Sequence, residues 1–137
     1  MSLDQKSIAS AAALLRDAEA NGQFIAPLRE TFAGLDADDA YEIQKHNIAF
    51  KLQGGARVVG AKIGLTSLAV QRQLGVDSPD YGVLLDVMGY GEGLPIPVSA
   101  LQQPKVEAEV AFVLGRDLDL PNPTVIDIIN AIDYALP

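Results

Sequence analysis

The 137-residue sequence has no cysteine and a single histidine. The first absence excludes a disulfide, a thiolate nucleophile and a Cys-ligated zinc, and it fits a reducing, cytoplasmic location. With one histidine, His46, and no other supporting pattern, a Ser-His-Asp triad has nothing to rest on. His46 sits between Lys45 and Asn47 in a helical stretch and reads as a solvated helix residue. Bases are scarce as well: ten Lys and Arg stand against eighteen Asp and Glu, a formal net charge of -8. The resulting field repels phosphate backbones and anionic bilayers, so neither nucleic acid nor a membrane is an expected partner. A small anion stays compatible, because a bound metal or one placed lysine reverses the potential locally. No apolar run approaches the roughly 20 residues of a membrane helix. The opening MSLDQKSIAS has neither the basic nor the apolar part of a signal peptide, so an intracellular, soluble protein is expected.

What is present suits one globular domain: 49% hydrophobic residues over 137 positions can build a core. Residues 3–20 carry Ile8, Ala12, Leu15 and Ala18 at helical spacing, with Ser2 and Gln5 as a capping box and Asn21-Gly22 as the stop. After a connector containing Pro27, Asp36 caps a second helix over 37–53, with Tyr41, Ile48 and Leu52 on one side and Gly54-Gly55 at its end. From Arg57 glycines become dense. RVVGAKIG reads as a strand, LAVQRQLG as a short helix and YGVLLDVMGY as another strand. GYGEGLPIPVSA reads as loop, brief edge strand, loop. PKVEAEVAFVLG is the clearest strand, and Asn122-Pro123 opens a last helix in TVIDIINAID, just after which the chain stops. Helices followed by a glycine-rich β region, without βαβ alternation, predict an α+β fold. The division expected is a helical region over 1–56 and a β-rich region over 57–137.

Within PKVEAEVAF, alternation puts Glu107 and Glu109 on one strand face with Lys105, about 6.5 to 7 Å apart along the strand. Two readings stand. The face is a solvated outer face, or the two carboxylates converge on a divalent cation. The same face continues as Ala111 and Val113, and carboxylates entering an apolar region need protonation, pairing or a metal. Hard carboxylates without nearby His or Cys favour Mg²⁺ or Mn²⁺ over zinc. Lys62, between Gly60 and Gly64, is either a surface lysine with its stem along the sheet or a group that binds a carboxylate and moves protons. Asp80 in DSPDYG is either a turn aspartate or a general acid/base. GGARVVGAK is no P-loop: Ala61 separates the last glycine from the lysine, and a helix precedes the string.

The strings RVVGAKIGLTS, VQRQLGVDSPDYGVLLDVM, QPKVEAEVAFVLGRDL and AIDYALP together resemble the 2-keto-4-pentenoate (2-hydroxypenta-2,4-dienoate) hydratases of the fumarylacetoacetate hydrolase superfamily. IAPLRE and AYEIQ match more loosely, so the resemblance runs over essentially the whole chain. It implies an α+β fold of the fumarylacetoacetate hydrolase type, of which this chain is the N-terminal half. It implies Glu107 and Glu109 as metal ligands, Lys62 and Asp80 as active-site residues, and Lys62 with Leu85 as substrate contacts. The division of labour between Lys62 and Asp80 stays open. The implied activity is a lyase adding water to a small anionic 2-hydroxydienoate in aromatic catabolism, in a homo-oligomer or a complex with a pathway enzyme. Sister enzymes are the 4-oxalocrotonate decarboxylases and the hydratases of a longer dicarboxylate dienoate. A different class is a truncated, non-catalytic assembly module. In the family a third acidic ligand follows the string matching AIDYALP, then a β-rich half that closes the pocket. The chain as given is therefore expected to bind metal weakly and to turn over little.

Overall fold

A computed structural model describes residues 2–137. The chain falls into two compact units, residues 1–102 and residues 103–137. It is mixed α and β, with two two-stranded antiparallel sheets among the described residues.

The first unit opens with α1 (Gln5–Asn21). Its N-cap is Asp4, whose carboxylate accepts from the Ser7 amide at 2.7 Å, in place of the expected Ser2 cap. Ser2 serves another helix. Gly22 closes α1 at φ 61°, a left-handed turn that the Asn-Gly pair predicts. The connector around Pro27 holds one short helix, α2 (Leu28–Thr31), too brief for a periodic signal. α3 (Ala37–Gln53) begins at Asp36 and ends at Gly54, as the sequence indicates. Ile8, Ala11, Ala12 and Ile43 form the core between α1 and α3, flanked by Leu15, Leu28 and Phe32. Two alanines on α1 let the helices approach, and each buried isoleucine contributes about 1.5–3 kcal/mol. Around this core Arg16 donates to Asn47 at 2.7 Å and stacks over Phe50, and Lys51 pairs with Glu19.

Asp39 is the ionisable group built into this packing, only 2% exposed. Its carboxylate accepts from the Ser2 hydroxyl, from the Leu3 amide at 3.0 Å and from the Asp36 amide at 3.2 Å, so it caps α3 and ties down the chain start. The Ser2 hydroxyl above all, then the Leu3 and Asp36 amides, hold its carboxyl below the ordinary carboxylate range against the opposing effect of burial. A carboxyl depressed on folding stabilises above its unfolded value, near pH 4, and that contribution fades as pH falls through the folded value. We expect the thermal midpoint to fall below about pH 4. Asp39→Asn should start several degrees lower and lose part of that acid slope, read by circular dichroism at pH 3 to 7. Asp4, Asp86 and Asp127 are depressed too, each held mainly by hydrogen bonds, and act in the same direction.

β1 (Val58–Gly64), α4 (Leu68–Leu74) and β2 (Asp80–Leu85) complete the regular part of the first unit. The β2 strand is shorter than YGVLLDVMGY suggests. Asp86–Met88 forms a 3₁₀ turn, because the Asp86 carboxylate takes the Arg57 amide and guanidinium at 2.9 and 3.0 Å and the Val87 amide at 3.0 Å. The expected edge strand in GYGEGLPIPVSA is absent. Proline lacks the ladder donor, and the segment forms irregular loop and a 3₁₀ turn at Val98–Ala100.

The second unit pairs β3 (Ala111–Leu114) with β4 (Ile132–Leu136), linked through α5 (Val125–Ala131). α5 is capped by Thr124, in a capping box with Asp127, and not by Asn122. The expected helix over TVIDIINAID ends at Ala131, and the IDYAL segment that follows is a strand. The expected long strand in PKVEAEVAFVLG shrinks to its last third. Ala111 pairs with Leu136, the last residue of β4, and residues 104–110 precede the strand as irregular backbone. Only Ala131 of this unit is buried, whereas Phe112, Val125, Ile126 and Ile129 are each more than half exposed. So short a segment cannot enclose a core by itself. No described helix is long and apolar enough to cross a membrane.

Candidate functional site

The β1–β2 ladder brings two of the sequence candidates together. Its register sets Lys62 opposite Gly82 and Gly64 opposite Asp80. Directly paired residues of an antiparallel ladder share a face, so Lys62 and Asp80 are diagonal neighbours on one face, within reach of long side chains. Each has a glycine as its direct partner. Both residues are exposed. A Cβ built on Gly64 would overlap Asp80 Oδ1, so the carboxylate occupies the space that any other residue would fill. KIGLT and PDYG are thereby complementary: the glycine of one seats the acid of the other.

Three features fix this hairpin. Beyond Gly64 the backbone turns through Leu65 at φ 55°, a left-handed conformation costing a leucine about 1–2 kcal/mol. Its carbonyl accepts from Gln71 Nε2 at 2.6 Å, and Gln71, on α4, is 5% exposed. On the outer edge of β2, the Gln44 amide of α3 accepts from the Val83 amide and donates to the Tyr81 carbonyl, both at 3.3 Å. A side chain thus takes the hydrogen-bonding place of a neighbouring strand. Tyr41 accepts from the Tyr81 amide at 3.3 Å and stacks on the Tyr81 ring at 4.8 Å. α3 therefore positions the start of β2, and with it Asp80. Gln44 and Gln71 were not singled out from sequence, and Tyr41 was read only as part of one side of α3; an amide on a helix gives no periodic signal of what it binds.

Leu85, at the far end of β2, pairs with Val58 and is 1% exposed, so its side chain is packed core. His46 is exposed on α3, as expected. Glu107 and Glu109 lie in the second unit, exposed, just before β3. They are hard oxygen donors separated by one residue, and in kind they suit Mg²⁺ or Ca²⁺. In number they fall short: no three His, Cys, Asp or Glu among the described residues gather into a group that could hold a metal. Two clefts, of about 300 and 200 Å³, run along α3, and none of Lys62, Asp80, Glu107 and Glu109 lines either. Lys62 and Asp80 are on a strand face and Glu107 and Glu109 in an irregular segment, whereas one cleft is lined mainly by α1 and α3 and the other by α3 and β2.

No protein-family model matches the chain. It is 56% identical over 133 residues to the 2-keto-4-pentenoate hydratase of Burkholderia vietnamiensis, covering 97% of this chain and 51% of that protein. It is 54% identical over 127 residues to the 2-keto-4-pentenoate hydratase of Paraburkholderia xenovorans, covering 93% and 47%. The 4-oxalocrotonate decarboxylase of Pseudomonas putida G7, solved with calcium and acetate, superposes with a TM-score of 0.91 at 35% identity, over 98% of this chain and 52% of that one. The same decarboxylase has been solved with magnesium and adipate. The chain spans about half the length of the curated relatives it matches. Along nearly all of its residues the chain is similar to the 2-keto-4-pentenoate hydratases, over about half of their length.

Proposed function

We propose that this chain supplies part of the active site of a metal-dependent hydro-lyase converting 2-hydroxypenta-2,4-dienoate and water into 4-hydroxy-2-oxopentanoate. The observation that carries the reading is the Lys62 and Asp80 pair, on one face of the hairpin and each opposite a glycine. That arrangement suits a small, flat, anionic substrate lying against the strands. Identity above 50% to hydratases of this substrate class supports the same reading.

Glu107 and Glu109 would hold the divalent metal, Mg²⁺ or Mn²⁺, with the remaining positions left to other ligands. When bound, the metal acts as a Lewis acid on the substrate's carboxylate and 2-oxygen. Lys62 places a cation for the substrate carboxylate, and its ammonium is a point charge with three donors. Asp80 is the group for proton movement. The 2-hydroxyl gives up its proton and C5 gains one, which yields the conjugated 2-oxo-3-enoate. Water then adds its oxygen at C4 and a proton at C3. Leu85, being buried, contributes by packing beneath β2 and so shapes the substrate face indirectly.

The enzyme at its full natural length should consume the dienol in the presence of Mg²⁺ and lose at least about a hundredfold in rate under chelation. Loss of the dienol's ultraviolet absorbance reports this directly. Undiminished hydration with excess chelator overturns the metal assignment. The second reading, a decarboxylase, is favoured by the 0.91 TM-score to 4-oxalocrotonate decarboxylase. Offering 4-oxalocrotonate and measuring carbon dioxide release separates the two. A homo-oligomer or a complex with a neighbouring pathway enzyme is part of the same proposal, to be tested by light scattering.

A further inference from the structure

Two polar side chains are buried among the described residues, Asp39 and Gln71. Asp39 is accounted for by the cap of α3, while Gln71 has no part in the chemistry set out above. We infer that Gln71 is a positioning residue: by holding the Leu65 carbonyl it fixes the turn after Gly64, over which the Asp80 carboxylate is seated. This rests on the reading of Asp80 as an active-site group.

The chain of contacts is short. Gln71 Nε2 reaches back six residues from α4 to the Leu65 carbonyl at 2.6 Å. Leu65 holds φ 55°, a conformation that glycine adopts freely and leucine resists. Without the amide, that carbonyl loses its partner and the leucine relaxes toward an ordinary backbone region. Gly64 is the adjoining residue and the ladder partner of Asp80, whose Oδ1 lies where a Cβ on Gly64 would be. A shift of the turn is therefore transmitted to the carboxylate. The residue type also matters. A methionine would fill the same volume but leave the carbonyl unpaired, and a glutamate would set acceptor against acceptor.

The test is Gln71→Met in the enzyme at its full natural length. We expect kcat for dienol hydration to fall about tenfold or more with KM within about twofold, because misplacement of a catalytic group is felt in the transition state. The Asp80 carboxyl carbon resonance in a ¹³C spectrum should move as well. In a Leu65→Gly background, where the left-handed turn needs no clamp, adding Gln71→Met should cost less than about threefold. Equal losses in both backgrounds, or an unmoved Asp80 resonance, overturn the inference. A moved resonance with full hydration activity upholds Gln71 as the positioner and overturns instead the catalytic reading of Asp80. Should Gln71→Met fail to fold, Gln71→Glu with the same two readouts decides the matter.

Discussion

Glu107→Gln and Glu109→Gln should each lower metal-dependent hydration by about a thousandfold in kcat/KM while leaving the unfolding transition in place. The amide keeps the size of the side chain and removes the charge that a hard cation requires. Both residues are exposed, in a segment outside the β3 ladder. A metal titration followed by calorimetry, run beside the turnover assay, separates lost binding from lost chemistry. Full turnover by either variant in the presence of chelator would remove both glutamates from the site.

Asp80→Asn should lower kcat by about 10² to 10⁴, the range for removing a general acid or base. Lys62→Met is expected to act differently. A charged hydrogen bond to a carboxylate contributes about 1.5–3 kcal/mol, so its loss should appear mainly as a KM raised about 10- to 100-fold. The two residues share one strand face, which makes the contrast informative: equal effects on kcat and KM from both would mean that the face acts as a unit, without the proposed division of roles.

The helices were legible because their ends are written locally. Asp36 and Gly54 bracket α3 at the expected positions, and Gly22 stops α1. Where the sequence misled, the missing information was non-local. Ser2 looked like a cap for α1, but its hydroxyl is taken by Asp39, more than thirty residues on. Alternation in PKVEAEVAF describes which face a side chain would take, and carries nothing about whether a partner strand is present to make a ladder. The site shows the same divide. Lys62 and Asp80 were visible as isolated candidates, whereas the register that sets each against a glycine emerges only from the fold. Gly64 is visible in the sequence as a glycine, yet its reason, the carboxylate lying over it, is not.

The Gln44 amide on the edge of β2 has a consequence for assembly. With Tyr81 and Val83 already satisfied by α3, that border of the hairpin offers no template for another chain. The outer border of β1 pairs with no described strand. Growth of this sheet is therefore one-directional. A strand joining it on that border would dock alongside β1.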